Sequence, residues 1–343
     1  MAPSMAVVVL NWNSGYRLRS CLQSIIDQDH AFDDVIVVDN GSSDGSLTAA
    51  NKELDACRAT VIQLPENMGY GGGMNAGLAA TSAAYVIPMN CDCVLRRDFV
   101  GQAREILRKE GPSVGILGGI VYRVPSIDAM SPATIVGLDS GRMRVALDMR
   151  VSFRPEDDEK AVTKVTGACP ILSRAALDRL VTFGFDASYF AYGEDIDLCL
   201  RILRSGYRIV YSSELVALHE RSYGMQRGVR DRSGVWRRFS LLNRYRNALR
   251  HAPKRWLPAS LLVIAVEDVA FVASRVLRRE GSAVADLTSA WRTVATEWRE
   301  QLKVGRDLQH PLVRRSDYDV RPRRDTFWQF RPLSLEAVGW FAQ

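Results

Sequence analysis

The fold is decided by residues 35–44, VIVVDNGSSD, in which an apolar β-branched run ends in a cluster of polar residues. The run predicts a buried strand, and the polar cluster predicts a turn into a helix. Similar apolar runs occur at residues 6–10 (AVVVL), 60–64 (TVIQL) and 85–89 (YVIPM), and helical spacing of apolar residues separates them, at 15–28, 73–81 and 99–109. This alternation predicts parallel βαβ units in an α/β, Rossmann-like and mostly parallel sheet.

Polar clusters follow three of these predicted strands, at Asn11, Asp39 and Asn90–Asp92. Open α/β sheets bind ligands beyond the carboxyl ends of their strands, so the three clusters predict one binding site. The carboxylate of Asp39 can accept a hydrogen bond from a nucleobase or a ribose hydroxyl, and Asp92 can bind a divalent cation. Helix capping is the alternative role for both residues.

A glycine-rich segment, residues 67–77 (NMGYGGGMNAG), follows the third predicted strand. Glycines at this place would let backbone N–H groups approach a phosphate. The spacing matches neither the GxGxxG pattern nor a P-loop. A flexible turn is therefore the alternative.

Carboxylates are concentrated once more at residues 193–197 (GEDID), at the start of a helix predicted over 193–206. Asp195 or Glu194 could act as a general base, and His219, predicted in a loop after a strand at 207–211, could bind a metal. An acidic first helical turn and a structural histidine are the ordinary alternatives. A further strand is predicted over 165–172, and residues 123–164 are predicted to form loops and hairpins.

Taken together, these clusters resemble glycosyltransferase family 2, especially its rhamnosyltransferase-like branch. The resemblance covers about residues 5–225 and is carried by VVVLNWNS, VIVVDNGSSDGS, ENMGYGGGMNAG, VIPMNCDC, TGACPILSR, FDASYFAYGEDIDLCLR and LHERSYG. It implies a GT-A fold and inverting, metal-dependent transfer of a sugar, with rhamnose favoured, from a nucleotide diphosphate sugar to a hydroxyl group.

The resemblance also implies roles for individual residues. Asp39 would face the base with Asn11 nearby, and Asn67 and Asn75 would lie along the nucleotide. Asp92 would bind the donor through Mg²⁺ or Mn²⁺, with His219 completing the metal site. Asp195 matches the general base of the family, and Glu194 beside it would tune or orient that base.

Three residues depart from the family pattern. Asn90 stands where the first acid of a DxD motif would be, and Cys91 replaces the proline usual in this branch, so metal binding should be weaker. Met74 replaces an arginine that many relatives carry. The donor is therefore left open between dTDP-rhamnose and UDP-sugars.

The charge distribution predicts two domains, a GT-A domain over 1–225 and a basic, mainly helical extension over 226–343. The first holds 22 basic and 27 acidic residues, and the second 23 basic and 12 acidic. The longest apolar stretch, 256–277, contains Glu267 and Asp268, which argue against a membrane-spanning helix. Together with the basic residues of 226–256, it suits helices lying on an anionic membrane surface. A solvated basic face and a homodimer interface are the alternatives.

Location and partners follow from the same composition. The six cysteines form no CxxC pair and predict reduced thiols in the cytoplasm, and the run at 6–10 is too short for a signal peptide. No nucleic-acid-binding module is present. We therefore expect a cytoplasmic enzyme, peripheral on the inner face of the membrane, with a glycan, lipid-linked or small-molecule acceptor used in building the cell envelope. A non-catalytic nucleotide-sugar-binding protein and a sugar nucleotidyltransferase are the alternative functions.

Overall fold

The chain is built around one large mixed sheet, seen in a computed structural model that describes residues 3–127, 135, 137–140, 143–145, 149, 151–153, 162–220, 235–278 and 282–308. The strands are β1 (Met5–Asn11), β2 (Asp34–Asp39), β3 (Thr60–Gln63), β4 (Tyr85–Asn90), β5 (Cys93–Leu95), β6 (Val114–Arg123), β7 (Gly137–Ser140), β8 (Met143–Val145), β9 (Val151–Phe153), β10 (Ile171–Ser173) and β11 (Arg208–His219).

The helices cover both faces of this sheet and continue beyond it. They are α1 (Arg17–Ile26), α2 (Ser46–Ala49), α3 (Asn51–Ala56), α4 (Gly69–Ala79), α5 (Phe99–Glu110), α6 (Arg174–Leu177), α7 (Glu194–Arg204), α8 (Val235–His251), α9 (Leu257–Leu277) and α10 (Ser282–Asp307), with a 3₁₀ turn at Ala187–Tyr189. The four predicted N-terminal strands are confirmed within two residues at each end.

The sheet order among the described residues is β3-β2-β1-β4-β10-β6-β11-β5, with β7 paired to β6. Strands β1 to β4, β6 and β11 run in one direction, whereas β10, β5 and β7 run against it. The mostly parallel sheet is thus confirmed, with antiparallel insertions. Because β1, β2 and β4 are neighbours, the polar residues that follow them meet at one edge.

The strand residues alternate between two apolar cores, as a sheet covered on both faces requires. Val7 and Val37 face the core beneath α1 and α5, whereas Val8 and Val38 face the core beneath α4 and α7. Burial of both faces explains why the strands read as continuous apolar runs rather than as alternating patterns.

Two predictions beyond the first hundred residues were wrong. Instead of a strand over 165–172, the structure has only the three-residue strand β10, Ile171–Ser173. His219 is the last residue of β11 rather than part of a loop. Strand β11 extends to His219 because its second half is paired on both sides, with β6 and β5. Residues 123–164 contain β7 and the β8–β9 hairpin among their described positions.

The C-terminal helices form a layer against α7, as the predicted helical extension requires. Ile196 and Leu200 of α7 share an apolar cluster with Tyr245 and Ala248 of α8 and with Ile264 of α9. The predicted boundary at 225/226 falls in residues 221–234, outside the described residues. The division into two domains therefore remains a prediction.

Candidate active site

Asp39 and Asn11 form a buried pair where β2 and β1 end side by side. Asn11 donates from Nδ2 to Oδ1 of Asp39 at 2.8 Å and to Oγ of Ser46 at 3.0 Å. Asn11 is fully buried, and Asp39 keeps 7% of its surface exposed. The structure thus brings these two predicted donor-binding residues together. Only Asp39 presents surface to a ligand, and Asn11 orients its carboxylate.

Asn67 is connected to the same edge through Asn40, a residue to which the sequence reasoning gave no role. Asn40 donates from Nδ2 to Oδ1 of Asn67 at 3.0 Å and accepts at Oδ1 from the Met68 N–H at 2.9 Å. Oδ1 of Asn67 also accepts from the Gly69 N–H at 2.9 Å. The amide of Asn40 therefore fixes the start of α4 against the end of β2.

The glycine-rich segment is helical rather than a loop, so the flexible turn is ruled out. Helix α4 begins at Gly69, four residues earlier than predicted. A Cβ on Gly73 would lie 2.5 Å from Cδ1 of Leu10, and one on Gly71 would lie 3.2 Å from the Asp186 carbonyl oxygen. These glycines let α4 approach the sheet and the 3₁₀ turn closely.

Asn75 has its side-chain amide occupied by the main chain of Phe185. Nδ2 donates to the Phe185 oxygen at 2.7 Å, and Oδ1 accepts from the Phe185 N–H at 2.8 Å. Both polar atoms of the Asn75 side chain are therefore committed to holding Phe185. Its contact with a donor remains a prediction.

Asp92 and His219 meet between the β4–β5 turn and the end of β11. Oδ1 of Asp92 lies 3.0 Å from Nε2 of His219, and both side chains are at most 10% exposed. The thiol of Cys93 lies near them, with the three potential ligand atoms within 4.8 Å of one another. Burial raises the pKa of Cys93 well above its ordinary value, with hydrogen bonding to Cys169 acting in the same direction. Mg²⁺ and Mn²⁺ prefer oxygen and nitrogen ligands to sulfur, so Asp92 and His219 are the better ligands.

Glu220, which follows His219, anchors this corner to α1. Its carboxylate accepts from Nη2 of Arg17 at 2.6 Å and from the hydroxyl of Tyr16 at 2.9 Å. Its backbone N–H donates to the main-chain carbonyl oxygen of Asp92 at 3.0 Å. The sequence reasoning gave these supporting residues no role, because their partners are about two hundred positions away in the chain.

Asp195 is the more accessible of the two carboxylates that open α7. Its Oδ2 lies 2.7 Å from Nζ of Lys164, its Oδ1 accepts from the Ile196 N–H at 2.9 Å, and its side chain is 21% exposed. Lys164 was missed in the sequence because it lies in an irregular segment with no recognisable pattern. An ion pair with the candidate base is thus a feature that only the structure reveals.

Glu194 is buried, and its Oε2 has no hydrogen-bond partner among the described residues. Burial, reinforced by the charge of Asp195, raises the pKa of Glu194 to about 8, although Lys164 acts in the opposite direction. Glu194 is therefore protonated near neutral pH, which leaves Asp195 as the carboxylate available to accept a proton.

Residues 167 and 168 lie between the two halves of the candidate site. A Cβ on Gly167 would lie 3.1 Å from Cβ of Asp195, and the oxygen of Ala168 accepts from the Asn90 N–H at 2.9 Å. The hydroxyl of Tyr70 donates to the Gly167 oxygen at 2.7 Å. Asp195 and the Asn90–Asp92 turn thus flank one short segment, although about a hundred residues separate them in sequence.

Asp197, the third carboxylate of the cluster, is fully buried in an ionic network with α8. It binds Nε of Arg201 at 2.7 Å and Nε2 of His251 at 2.8 Å. Burial alone would favour its neutral form, but Arg201 and His251 hold the pKa of Asp197 far below its ordinary value. Burial lowers the pKa of His251 to about 4, so that its neutral ring donates to Asp197 and accepts from Arg204.

Helix α8 also holds the loop that leads into α7. Nδ2 of Asn243 lies 2.7–3.0 Å from the carbonyl oxygens of Tyr189, Ala191 and Tyr192, which share its two N–H donors. Nδ2 of Asn247 donates to the Gly193 carbonyl oxygen at 3.0 Å. In this loop Phe190 and Tyr192 have φ of +59° and +65°, values that non-glycine residues rarely adopt. The C-terminal extension thus stabilises a strained connection directly before the candidate base.

Three buried arginines of α8 form ion pairs inside the protein. Arg237 binds Asp286, Arg246 binds Glu297 at 2.8 Å, and Arg250 binds Asp186 at 2.7 Å. In the described part of the basic run, these residues join α8 to α10 and to the sheet domain. These three arginines are therefore part neither of a solvated basic face nor of a membrane-binding surface.

Comparisons with known proteins show the family and the fold of the chain. The profile described as "Glycosyl transferase family 2" matches residues 6–180, just over half of the chain. An N-acetylglucosaminyl-diphospho-decaprenol L-rhamnosyltransferase of Mycobacterium tuberculosis is 25% identical in an alignment of 248 positions, which covers 66% of this chain and 79% of the relative. An N-acetylglucosaminyltransferase of Bradyrhizobium diazoefficiens is 25% identical in an alignment of 232 positions, which covers 63% of this chain and 45% of the relative.

Two solved structures have a similar fold. A mannosyltransferase from Pyrobaculum calidifontis, in complex with GDP-Man and Mn²⁺, has a TM-score of 0.53 at 20% identity and covers 90% of this chain and 85% of its own. S. aureus TarS, residues 1–349 in complex with UDP, has a TM-score of 0.51 at 16% identity, with 87% and 91% covered. At these identities the likeness concerns the fold alone.

Proposed function

Because the chain belongs to glycosyltransferase family 2, in its rhamnosyltransferase-like branch, we propose that it transfers one sugar, with inversion, from a nucleotide diphosphate donor to an acceptor hydroxyl. The enzyme has the GT-A fold that the sequence predicted. Family membership favours this activity over the sugar nucleotidyltransferase and the non-catalytic binding protein. The donor, the acceptor, the metal and the individual roles below are parts of the proposal.

Donor binding begins at the edge formed by β1, β2 and β4. Asp39, oriented by Asn11, accepts from the imide N–H of a uracil or thymine base. Asn67 and Asn75 lie along the nucleotide, both within or just before α4. A dTDP- or UDP-sugar fits this arrangement, with dTDP-rhamnose favoured because a relative from M. tuberculosis is named a rhamnosyltransferase.

The donor set of Asp92 and His219 fits a divalent cation. One carboxylate and one imidazole, both buried, have their Oδ1 and Nε2 atoms 3.0 Å apart. This pair suits Mn²⁺ or Mg²⁺ when oxygens of the sugar donor and water complete the coordination. A bound cation would supply charge compensation for the diphosphate leaving group. With one carboxylate fewer than a DxD motif, the pair should bind metal more weakly.

The reaction needs a proton acceptor on the side of the acceptor hydroxyl. Asp195 takes the hydroxyl proton while the acceptor oxygen forms its bond to the anomeric carbon and the carbon–phosphate oxygen bond breaks. Attack opposite to the leaving group inverts the anomeric centre. Glu194 is protonated and therefore uncharged, so it adds no second negative charge next to the base.

We further propose a cell-envelope acceptor and a peripheral location at the inner face of the membrane. The name of the mycobacterial relative contains a diphospho-decaprenol, which supports a lipid-linked acceptor here. A glycan, a small-molecule acceptor and a homodimer stay as alternatives within the proposal.

The observation that carries the proposal is that Asp195 and the Asn90–Asp92 turn flank the segment 167–168. A thermal-shift screen of dTDP-rhamnose, UDP-N-acetylglucosamine and GDP-mannose, each with Mn²⁺, Mg²⁺ or chelator, tests it. A bound donor raises the melting temperature by mass action, and the rise should depend on metal. Turnover of the binding donor with an acceptor, followed by NMR of the new linkage, then tests inversion. Failure of every donor and metal combination to raise the melting temperature would contradict the proposal.

A further inference from the structure

Helix α9 presents an apolar face to the outside of the protein. Leu262, Val266 and Leu277 are 65%, 61% and 86% exposed, and Val263, Val269 and Val276 are also exposed. Positions 262, 266, 269, 273 and 277 follow helical spacing, so they form one stripe along the helix. This completely described helix has no exposed charged residue between 257 and 277.

The two acids of α9 face α8 instead. Glu267 and Asp268 bind the guanidinium of Arg244 on α8 at 2.7 and 2.5 Å. Ser260, Ile264, Asp268 and Val272 form the buried side. The two acids that interrupt the apolar stretch in sequence are thus paired with Arg244 inside the protein. Helix α9 therefore turns its two acids inward, while Leu262, Val266 and Leu277 face outward.

The helix is long and apolar enough to cross a membrane by length and composition, and only 22% of its most apolar window is buried. Spanning conflicts with the contacts of the helix, because Asp268 near its middle is bonded to Arg244 and would enter the hydrocarbon. A helix of 21 residues is about 30 Å long and can instead lie along a surface.

Basic residues border the apolar face. Lys254 and Arg255 are exposed before α9, and Arg278 is exposed after it. On the neighbouring α10, Trp291 and Trp298 are 39% and 43% exposed, with Arg292 and Arg299 exposed beside them. An apolar stripe with basic side chains at both ends, next to a helix with exposed indole rings, has the composition of helices that lie in a membrane interface.

We propose that the outer face of α9 lies in the surface of a bilayer that contains anionic lipids. A second copy of the chain is the weaker candidate, because pairing α9 with itself in either direction would bring basic ends together. The inference deepens the proposed function by naming the surface that would carry the enzyme to a lipid-linked acceptor. Arg237, Arg244, Arg246 and Arg250 of α8 play no part in it, since each is bound to a carboxylate inside the protein.

Vesicle flotation of the full chain tests this surface without requiring catalysis. We expect flotation with vesicles of phosphatidylcholine and phosphatidylglycerol, weak flotation with phosphatidylcholine alone, and release by high salt. The double variant Leu262→Glu, Val266→Glu should lose vesicle affinity at least about tenfold, since burying apolar area drives interfacial binding. Both residues are exposed, so the variant should fold.

The matched control is Val181→Glu, because Val181 is 79% exposed on the sheet domain. It should float like the wild type. Wild-type chain that does not float, including a chain whose own C-terminal residues cover α9, overturns the proposal. The proposal is also overturned by a concentration-dependent dimer that the double variant abolishes. A chain that neither high salt nor carbonate extracts from the vesicles overturns it as well.

The melting temperatures of wild-type and variant chains are also measured with UDP and Mn²⁺. A double variant that keeps the nucleotide shift but does not float separates the docking surface from the donor site.

Discussion

Nζ of Lys164 lies 2.7 Å from Oδ2 of Asp195, so the candidate base is held by an ion pair. The Ile196 N–H binds the other carboxylate oxygen, and Gly167 packs against Cβ. Lys164 is 6% exposed, which keeps water away from one side of the pair. The carboxylate of Asp195 is therefore fixed in position before an acceptor arrives, a condition for efficient proton transfer.

Asp195→Asn should abolish turnover and leave donor binding nearly unchanged. The amide keeps the size of the carboxylate but accepts no proton from the acceptor hydroxyl. We expect kcat to fall at least about a hundredfold, the lower part of the range for general-base catalysis. Initial rates with saturating donor measure this loss, and the thermal shift with donor measures binding. Asp178→Asn, at an exposed carboxylate, is the matched control. Near-normal turnover in Asp195→Asn would remove Asp195 from the role.

Replacing His219 should weaken the response to metal, whereas replacing Cys93 should not. His219→Ala removes the imidazole that lies 3.0 Å from Asp92. Losing one of two protein ligands should raise the Mn²⁺ concentration needed for half of the nucleotide-dependent thermal shift by about tenfold or more. Cys93→Ala leaves Asp92 and His219 in place.

The two variants together decide the ligand set. Equal loss of the metal response in Cys93→Ala would mean that the buried thiol is deprotonated and binds the cation. An unchanged response in His219→Ala would exclude His219 as a ligand. Each result is independent of the identity of the donor sugar, because UDP or dTDP suffices as the nucleotide.

Glu194→Gln should make the protein more resistant to alkaline pH. The folded-state pKa of Glu194 is raised to about 8 by burial and by Asp195, whereas the unfolded chain ionises near 4.5. Between these values the folded state binds the extra proton, so stability falls as pH rises. The limiting slope is about 1.4 kcal/mol per pH unit. Glutamine carries no such proton and should lack this loss.

Urea unfolding of both proteins at pH 6.0 and at about pH 7.5 measures the difference. We expect the wild type to lose about 2 kcal/mol relative to Glu194→Gln over this interval. Glu66→Gln, at an exposed carboxylate, should follow the wild type. His251 acts in the opposite direction, because its pKa is lowered to about 4, but both proteins carry His251 and its effect cancels in the difference. Parallel curves for wild type and Glu194→Gln would show that Glu194 is ionised.

Much of the parallel half of the fold could be predicted from the sequence. The strands ending at Asn11, Asp39 and Asn90 are doubly buried, so their apolar runs are continuous and easy to recognise. Their order brings the polar ends together by sheet geometry alone. The pairing of Asp92 with His219 needed the family resemblance, because the sequence pattern alone placed His219 in a loop.

Strand β6 could not be predicted, because three of its ten residues are glycines. A Cβ on Gly118 would lie 2.6 Å from Cβ of Val165, and one on Gly119 would lie 2.6 Å from Cβ of Leu215. Tertiary packing thus selects residues with poor strand propensity. Lys164 and Asn243 were missed for a similar reason, since their roles depend on partners far away in sequence.

Asn243→Ala should lower kcat more than it changes donor binding. The Asn243 amide bonds three carbonyl oxygens of the loop 189–192, in which Phe190 and Tyr192 hold unfavourable φ values. Without these bonds the loop can relax and displace Asp195, which lies three residues after the loop. Misplacement of a catalytic group by about 1 Å can cost up to about a hundredfold in rate. We therefore expect a kcat loss of about ten- to a hundredfold with little change in the donor KM.

A control must separate positioning from stability, because the variant also loses buried hydrogen bonds worth about 1–3 kcal/mol. Asp286→Ala serves this purpose, since it removes the ion pair with Arg237 between α8 and α10 without touching the loop. Both variants should lower the melting temperature, but only Asn243→Ala should lower kcat at a temperature where both are folded. Equal effects of the two variants on kcat would mean that α8 acts through overall stability. A loss confined to Asn243→Ala would make Asn243 a positioning residue for Asp195, supplied by the C-terminal extension.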